Sequence, residues 1–232
     1  MESLILSDIE LYYSKLVDLK SGLITIKGEE SNHILNVMRH GTNDEIYITN
    51  GEGKIFKSQI IETSKKNVIS KIQKEYAYEE KFPNIIFCIP RLRSAERFEF
   101  AFEKCTELGV TNFIIYQAKR SVPKKVNLVR VEKILVAAMK QSLLSWLPKV
   151  KYINSLKELN LTKGEKIIFE QDSEVYFSRE LLKPDMNYLL IFGPEGDFAP
   201  DELNSLTSSV KYNLAENRLR TETAIIKAAA LL

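Results

Sequence analysis

The chain has 232 residues, of which 44% are apolar and 28% charged, a composition typical of a globular protein with one large or two small domains. Its formal net charge is +2, and its two cysteines, Cys88 and Cys105, have neither metal-ligand nor disulfide-framework spacing, which favours the cytoplasm. No stretch approaches the roughly 20 apolar residues that span a bilayer, and the amino terminus is not typical of a secretion signal, so we expect no membrane partner.

The first part of the chain carries short alternating or β-branched runs: "LITIK", "DEIYITN", "KIFKSQIIET" and "NVISKIQKE". "NGEG" between two of these runs is a hairpin signal, and together they predict a small β-barrel. His33 and His40 both lie in "SNHILNVMRH", where a lone histidine is more often structural than catalytic. No HExxH motif or Cys/His set occurs, so no metal is expected.

Beyond about residue 80 the pattern changes to strands that alternate with helices, which indicates an α/β domain with a largely parallel sheet. Within "SAERFEFAFEKCTELGV", apolar residues at helical spacing predict a helix with Ser94 as N-cap and Gly109 as C-cap. We predict strands at "IIFCIP", "NFIIYQ", "KIIFEQ", "NYLLIFG" and "VKYNLA".

Charge is distributed unevenly, with net values of −3 for residues 1–80, +9 for residues 81–165 and −4 for residues 166–232. Residues 119–133 hold six cations against the single acid Glu132: Lys119, Arg120, Lys124, Lys125, Arg130 and Lys133. Such a cluster is either a phosphate-binding surface or an ordinary solvated helix face.

In "LLIFGPEGDFAP" an apolar strand runs directly into a glycine-rich turn. Ligands of open α/β sheets gather beyond the carboxyl ends of such strands. Gly193 and Gly196 can adopt positive φ or let another molecule approach the main chain, while Pro194 fixes one φ between them. The alternative is a tight connection whose glycines serve only the chain.

The last segment, "NLAENRLRTETAIIKAAALL", predicts a strand that ends near Leu214, a polar loop, and a helix capped by Thr221 or Thr223. Free backbone N–H groups at this junction favour a polar or anionic ligand. The helix ends in "AAALL" without a polar cap, and such an end is better buried than solvated.

Several classes of chemistry have no signature in the chain. There is no GxGxxG after a strand and no GxxxxGK[ST], so the common dinucleotide and nucleotide cradles are missing. No serine or cysteine has an obvious histidine partner, so covalent catalysis has no candidate residue.

"GPEGDF" followed by "LRTETA", and preceded by "HILNVMRH", "FEKCTELGV" and "MKQSLLSWLP", resembles the bacterial 16S ribosomal RNA uridine N3-methyltransferases of the SPOUT superfamily. The resemblance spans nearly the whole chain. It implies a PUA-like β-barrel at residues 1–75 that binds RNA and, at residues 76–232, a SPOUT-type α/β methyltransferase domain with a C-terminal trefoil knot. It also implies a homodimer, S-adenosylmethionine as cofactor, and 16S ribosomal RNA or the small ribosomal subunit as partner.

Carried over position by position, the resemblance implies a cofactor pocket on three loops. Its residues would be Phe169, Glu170, Ile191, Phe192, Gly193, Pro194, Glu195, Gly196, Leu214, Leu219, Arg220, Thr221, Thr223 and Ala224. Methyl transfer to uracil N3 requires in-line positioning and loss of the N3 proton. Arg220 is the candidate that stabilises the resulting anion, and Glu222 the candidate base; either could instead only hold the loop.

The positions implied for RNA binding are Arg39, Arg93 and Arg120, with Lys124 and Lys125 of the basic cluster; Lys104 and Glu107 also match polar positions of the family. Two departures affect target choice. Asp197 stands where the family has glycine, and "KQSLL" replaces E-Q-S-x-R, so that an RNA-facing arginine is replaced by Leu144. The neighbouring apolar residues form core, a dimer contact or a base-stacking surface. Two alternatives therefore remain: an RNA-binding SPOUT protein without activity, or an enzyme with another RNA target.

Overall fold

The computed structural model describes residues 9–121 and 126–232, and the chain divides into two compact units. The first unit contains the residues up to Glu80 together with Met139–Leu147. The second contains Lys81–Ala138 and Pro148–Leu232. The predicted domain ranges were 1–75 and 76–232, and they assigned Met139–Leu147 to the second domain. In the structure this segment belongs to the first unit.

The first unit is built on a six-stranded sheet with the order β1-β4-β5-β6-β3-β2. All neighbouring strands are antiparallel except β1 and β4, which are parallel. Alternating side chains on the strands meet in one apolar core, as their period-two pattern predicts. The strands are β1 Leu11–Tyr13, β2 Val17–Asp18, β3 Leu23–Lys27, β4 Glu45–Thr49, β5 Lys54–Thr63 and β6 Asn67–Ala77. A short helix α1, Glu29–Asn32, and a π-helical turn, His33–Val37, follow β3.

The predicted hairpin at "NGEG" is present between β4 and β5. Apolar residues of the later segment "SLLSWLP" pack against this hairpin. Gly53 has φ 88°, and a Cβ there would lie 2.6 Å from the Trp146 ring. The indole N–H of Trp146 donates to the Tyr78 carbonyl at 2.9 Å. A Cβ on Gly51 would lie 2.9 Å from Leu147 Cβ. Packing within the first unit therefore accounts for Trp146 and Leu147. Of the three interpretations of these apolar residues, as core, dimer contact or base-stacking surface, the structure favours core.

Each histidine has an acidic partner inside the first unit. His33 Nε2 lies 3.4 Å from a Glu10 carboxylate oxygen, and His40 Nδ1 lies 3.3 Å from one of Asp44. Both imidazole rings also meet the buried Tyr12 ring edge to face. These contacts favour the structural interpretation of both histidines.

The second unit is built on a six-stranded sheet with the order β12-β10-β11-β7-β8-β9, and every pair in it is parallel. The strands are β7 Ile85–Pro90, β8 Asn112–Tyr116, β9 Lys149–Ile153, β10 Glu165–Phe169, β11 Tyr188–Phe192 and β12 Ser209–Tyr212. All five residues of β11 are buried between β10 and β7, as its continuous apolar run predicts.

The helices are α2 Ala95–Glu107, α3 Leu128–Gln141, α4 Pro200–Asn204 and α5 Thr221–Ala230, with 3-10 turns at Leu156–Leu161 and Arg179–Leu181. Helix α2 begins as predicted, because the Ser94 hydroxyl accepts from the backbone N–H of Arg97. Gly109 follows its end with φ 97°. Helix α5 packs against α2.

Three details differ from the sequence-based predictions. The strand predicted to end near Leu214 ends at Tyr212. Neither threonine caps α5, since its N-cap is Arg220 and no side chain bonds there. Strands β1, β2 and β9 were not predicted, because the first two span only three and two residues and "KVKYI" interrupts its apolar positions with lysines. No helix within residues 9–121 and 126–232 is long and apolar enough to cross a membrane.

Candidate functional site

Three neighbouring strands determine where the main cavity of the second unit lies. Strands β12, β10 and β11 are adjacent and parallel, so the loops that follow them leave the sheet at the same edge. A cavity of about 670 Å³ opens between these three loops and the first turns of α2 and α5. This volume lies in the range of small-molecule and cofactor sites.

Two stacked aromatic rings belong to the apolar part of the cavity wall, which also includes Pro194, Leu214, Ala215, Leu219 and Ala224. Phe169 ends β10 and Phe192 ends β11, and their ring centroids lie 5.0 Å apart at 27°. Phe177 packs edge to face against Phe169 and supports it from the loop after β10. The remaining wall is mostly polar side chains and main chain.

Hydrogen bonds tie the loops to each other and to the sheet. The Thr221 hydroxyl donates to the Gly193 carbonyl at 3.1 Å, which joins the start of α5 to the loop after β11. The Tyr116 hydroxyl donates to the Phe192 carbonyl at 2.5 Å. Burial, followed by the nearby Glu202 carboxylate, raises the pKa of Tyr116 well above its usual range. The carbonyls of Phe192 and Gly193, at the end of β11, are therefore each bound by a side chain from another part of the chain.

The glycines of "GPEG" are explained by limited space rather than by backbone conformation. Neither Gly193 nor Gly196 is among the glycines with positive φ, so of the two predicted alternatives, positive φ or close approach to the main chain, the first does not apply. A Cβ on Gly193 would lie 3.0 Å from the Phe198 ring, and one on Gly196 would lie 3.3 Å from the Arg120 carbonyl oxygen. Both glycines thus admit neighbouring groups of the chain itself.

Asp197 is the residue of this turn that adopts the left-handed conformation, with φ 64°. Non-glycine residues adopt it at a cost of about 1–2 kcal/mol, and aspartate tolerates it better than most because its short side chain can bond locally. Its carboxylate accepts from the Phe198 N–H at 2.8 Å. Asp197 is therefore accommodated at the position where the family has glycine, and its carboxylate adds an acid to the cavity wall.

A buried carboxylate faces the cavity from the first turn of α5. Glu222 is only 8% exposed, and its Oε1 lies 3.4 Å from Nε of Arg97 on α2. Its Oε2 is buried and accepts no hydrogen bond from any residue that the structure describes. A buried carboxylate oxygen without a partner is costly in a folded protein, which singles out Glu222 among the acidic residues of the cavity wall.

Acids outnumber bases in the cavity wall. Five acids and three arginines line it: Glu170, Asp172, Glu195, Asp197, Glu222, Arg97, Arg218 and Arg220. Glu170 is paired with Lys211 at 2.7 Å, and Glu195 accepts from the Arg93 N–H at 2.9 Å. The cavity is therefore suited to a polar ligand that carries positive charge.

Most residues that the resemblance implied for the cofactor lie on this cavity. Its wall contains Phe169, Glu170, Phe192, Gly193, Pro194, Glu195, Leu214, Leu219, Arg220, Thr221 and Ala224, together with Glu222. Ile191, Gly196 and Thr223 do not line it: Ile191 is buried within the sheet, Gly196 faces Arg120, and Thr223 is exposed on α5.

Ala215, Asn217 and Arg218 of the wall lie within the third predicted loop, residues 214–224. Five residues of the wall lie outside the predicted loops: Arg97, Gln171, Asp172, Asp197 and Asn213. Four of these five neighbour predicted positions, so wider windows around the motifs would have included them. Arg97 lies on a different element, and no local signal indicates it.

The positions predicted for RNA binding are spread over both units. Arg39 is exposed in the first unit, and Arg93 and Arg120 are exposed in the second. The guanidinium of Arg120 donates to the Gly196 carbonyl at 3.3 Å. Lys124 and Lys125 lie outside the described residues.

Two cations of the basic cluster have acidic partners on other helices. Lys119 pairs with Asp201 of α4, and Arg130 pairs with Glu99 of α2. These hydrogen bonds lower the pKa of both Asp201 and Glu99. The positive field of residues 119–133 is therefore smaller than the sequence suggests. Within the parts of the chain that the structure describes, no group of three or more His, Cys, Asp or Glu residues could hold a metal ion.

Two family models match the chain: an RNA methyltransferase PUA domain at residues 26–73 and an RNA methyltransferase domain at residues 79–232. Ribosomal RNA small subunit methyltransferase E of Bacillus subtilis is 30% identical over 226 residues, which cover 90% of this chain and 88% of that protein. The protein of the same name from Rickettsia conorii is 25% identical, covering 85% of this chain and 84% of its own.

Solved structures show the same fold. A probable rRNA-methyltransferase from Porphyromonas gingivalis superposes with a TM-score of 0.84 at 26% identity and covers 96% of both chains. A ribosomal RNA small subunit methyltransferase E from Neisseria gonorrhoeae, solved bound to S-adenosyl methionine, has a TM-score of 0.82 at 24% identity and covers 96% of this chain and 95% of its own. The predicted fold class, a SPOUT-type α/β domain preceded by a PUA-like β-barrel domain, is confirmed.

Proposed function

Because the chain belongs to the RNA methyltransferase family of the ribosomal RNA small subunit methyltransferase E proteins, we propose that it transfers a methyl group from S-adenosylmethionine to N3 of a uridine in 16S ribosomal RNA. The single observation that carries the proposal is the cavity where three motif-bearing loops meet. A ribosomal RNA substrate implies a cytoplasmic location, and we propose a homodimer as the working form.

The residues of the cavity fit the cofactor. Phe169, which is half-buried, offers an apolar surface to an adenine ring, and the main chain at Gly193 and at the residues before α5 offers donors and acceptors. The excess of acids suits the net positive charge of S-adenosylmethionine. When bound, that cofactor supplies an electrophilic methyl carbon on a sulfonium.

The protein's part in the reaction is to orient the uracil and take its N3 proton. Methyl transfer forms the N3–carbon bond as the carbon–sulfur bond breaks, so the nucleophile must lie in line with the departing sulfur. The Glu222 carboxylate is the proposed acceptor of the N3 proton, because this side chain lines the cavity and one of its oxygens has no protein partner among the described residues. Arg220 is proposed to stabilise the negative charge that develops on the uracil carbonyl oxygens.

RNA binding is proposed for Arg39, Arg93, Arg120, Lys124 and Lys125. Exposed cations bind phosphate without sequence preference and orient the substrate on the surface. Target choice is then proposed to come from the shape around the acceptor end of the cavity.

The direct test is nucleoside mass spectrometry of small ribosomal subunits and of free 16S RNA incubated with the protein and S-adenosylmethionine. N3-methyluridine, separated from the C5- and 2′-O-methylated isomers, is the expected product. A reaction without cofactor is the control. RNA binding without any methylated nucleoside would instead support a protein that has lost activity, and methylation of another RNA only would support a different target.

A further inference from the structure

Glu222 lines the cavity, and one of its two carboxylate oxygens is held by an arginine of another helix. Oε1 lies 3.4 Å from Nε of Arg97, and Oε2 has no protein partner among the described residues. We propose that Arg97 is the positioning residue for Glu222, holding the carboxylate at the cavity wall where the methyl acceptor would lie. The proposal rests on the proposed function, in which Glu222 receives the N3 proton.

The start of α2 holds Arg97 in place. Its backbone N–H is bound by the Ser94 hydroxyl at 3.3 Å, and the next residue, Phe98, is 4% exposed and packs into the core. Further along the same helix, the buried Cys105 thiol lies 3.8 Å from the Ile225 carbonyl of α5. Helix α2 therefore fixes where the Arg97 side chain begins relative to α5.

The location of Arg97 argues against a role in its own helix. It lies in the first turn of α2, where the helix dipole disfavours a cation. Glu222 lies in the first turn of α5, where the same dipole favours an anion. The favourable electrostatic contact of Arg97 is therefore with the Glu222 carboxylate and not with the dipole of its own helix.

The other charged groups of the cavity wall do not substitute for Arg97. Arg218 and Arg220 approach from the loop before α5, and Glu195 and Asp197 approach from the loop after β11. Among the residues that the structure describes, the ion pair of Glu222 is with Arg97. A buried carboxylate that loses its partner is uncompensated and turns toward whichever donor or solvent remains.

No atom of Arg97 is transferred in this scheme. The N3 proton passes to the Glu222 carboxylate, the N3–carbon bond forms, and the electron pair of the broken carbon–sulfur bond stays on sulfur. Arg97 only sets the direction of the carboxylate, and a misplacement of about 1 Å at a reacting group can cost on the order of a hundredfold in rate.

The test compares Arg97→Met, Arg97→Lys, Glu222→Gln and the Arg97→Met/Glu222→Gln double variant in single-turnover and steady-state assays. Arg97→Met is expected to lower kcat by about 10- to 100-fold, with the KM for RNA and the Kd for S-adenosylmethionine within about twofold. Arg97→Lys should recover part of kcat. In the Glu222→Gln background, Arg97→Met should change kcat by less than about twofold, because the carboxylate that Arg97 positions is absent. Arg179→Met, an exposed arginine off the cavity, is the matched control.

The outcomes separate the two proposals. If the parent protein yields no N3-methyluridine, the proposed function falls, and this inference with it. If the parent is active, three results overturn the inference alone: an Arg97→Met effect confined to KM or Kd, an effect no larger than that of Arg179→Met, or losses that multiply in the double variant. Thermal melts of every variant identify a folding defect, in which case Arg97→Lys, which keeps the charge and the long side chain, decides.

Discussion

The hydrogen bond from Thr221 to Gly193 is the feature that joins two of the three loops around the cavity. Thr221→Val removes the hydroxyl and keeps the β-branched shape, and the helix propensities of the two residues are nearly equal. The change therefore isolates a single hydrogen bond, 3.1 Å long, at a half-buried position.

The structure allows the size of the effect to be worked out. A neutral hydrogen bond of this kind contributes about 1 kcal/mol net to the free energy of unfolding. For a protein of about 150–250 residues, that loss lowers Tm by roughly 2–4 °C. Because the loops lose a tie that orders the cavity, the Kd for S-adenosylmethionine should rise about two- to fivefold.

Thr223→Val is the matched control for this measurement. Thr223 lies in the same first turn of α5 but is exposed and off the cavity wall, so the same chemical change should stay within about 0.5 kcal/mol. Differential scanning fluorimetry gives both Tm values, and titration calorimetry gives both Kd values. Equal shifts in the two variants would refute the assignment of a stabilising role to the Thr221–Gly193 bond.

Three further predictions address other parts of the molecule. Tyr116→Phe should lower the free energy of unfolding by about 1–3 kcal/mol, because it leaves the Phe192 carbonyl without its donor. The pKa of Tyr116 in the folded protein is raised above the usual 10.0, so the stability difference between parent and variant is full below pH 10 and should shrink by about 1.4 kcal/mol per pH unit above pH 10. Urea unfolding at a series of pH values measures this difference, and a difference that stays constant with pH would contradict the prediction. Changing Lys124 and Lys125 together to Glu should weaken RNA binding and flatten the log–log salt dependence of that binding by roughly one to two units, with cofactor affinity unchanged. If the two lysines only belong to a solvated face, the RNA affinity of the variant should stay within about twofold of the parent's. Light scattering at micromolar concentration should give twice the chain mass, and a monomer would contradict the proposed homodimer.

Local patterns determined much of this protein from the sequence by itself. The apolar run of β11, the capped helix α2 and the hairpin at "NGEG" follow from periodicity, one side-chain cap and turn residues within a few positions. The motifs "GPEGDF" and "LRTETA" pointed to the family, and their position after strands placed them at the ligand edge of the sheet. All of these depend on residues close together in the chain.

The strand order and the long-range contacts were decided only by the tertiary structure. No sequence pattern states that β12, β10 and β11 are neighbours, yet this order is what brings three loops around one cavity. Likewise Trp146 packs on the hairpin at Gly53, and Arg97 meets Glu222, although each pair is far apart in the chain. The positive φ of the turn belongs to Asp197 and not to its glycines, whose positions instead lie close to the Phe198 ring and the Arg120 backbone. Helical periodicity and capping act over a few residues, whereas these contacts depend on how separate elements pack, and that is why the partner of Glu222 could not be read from the sequence.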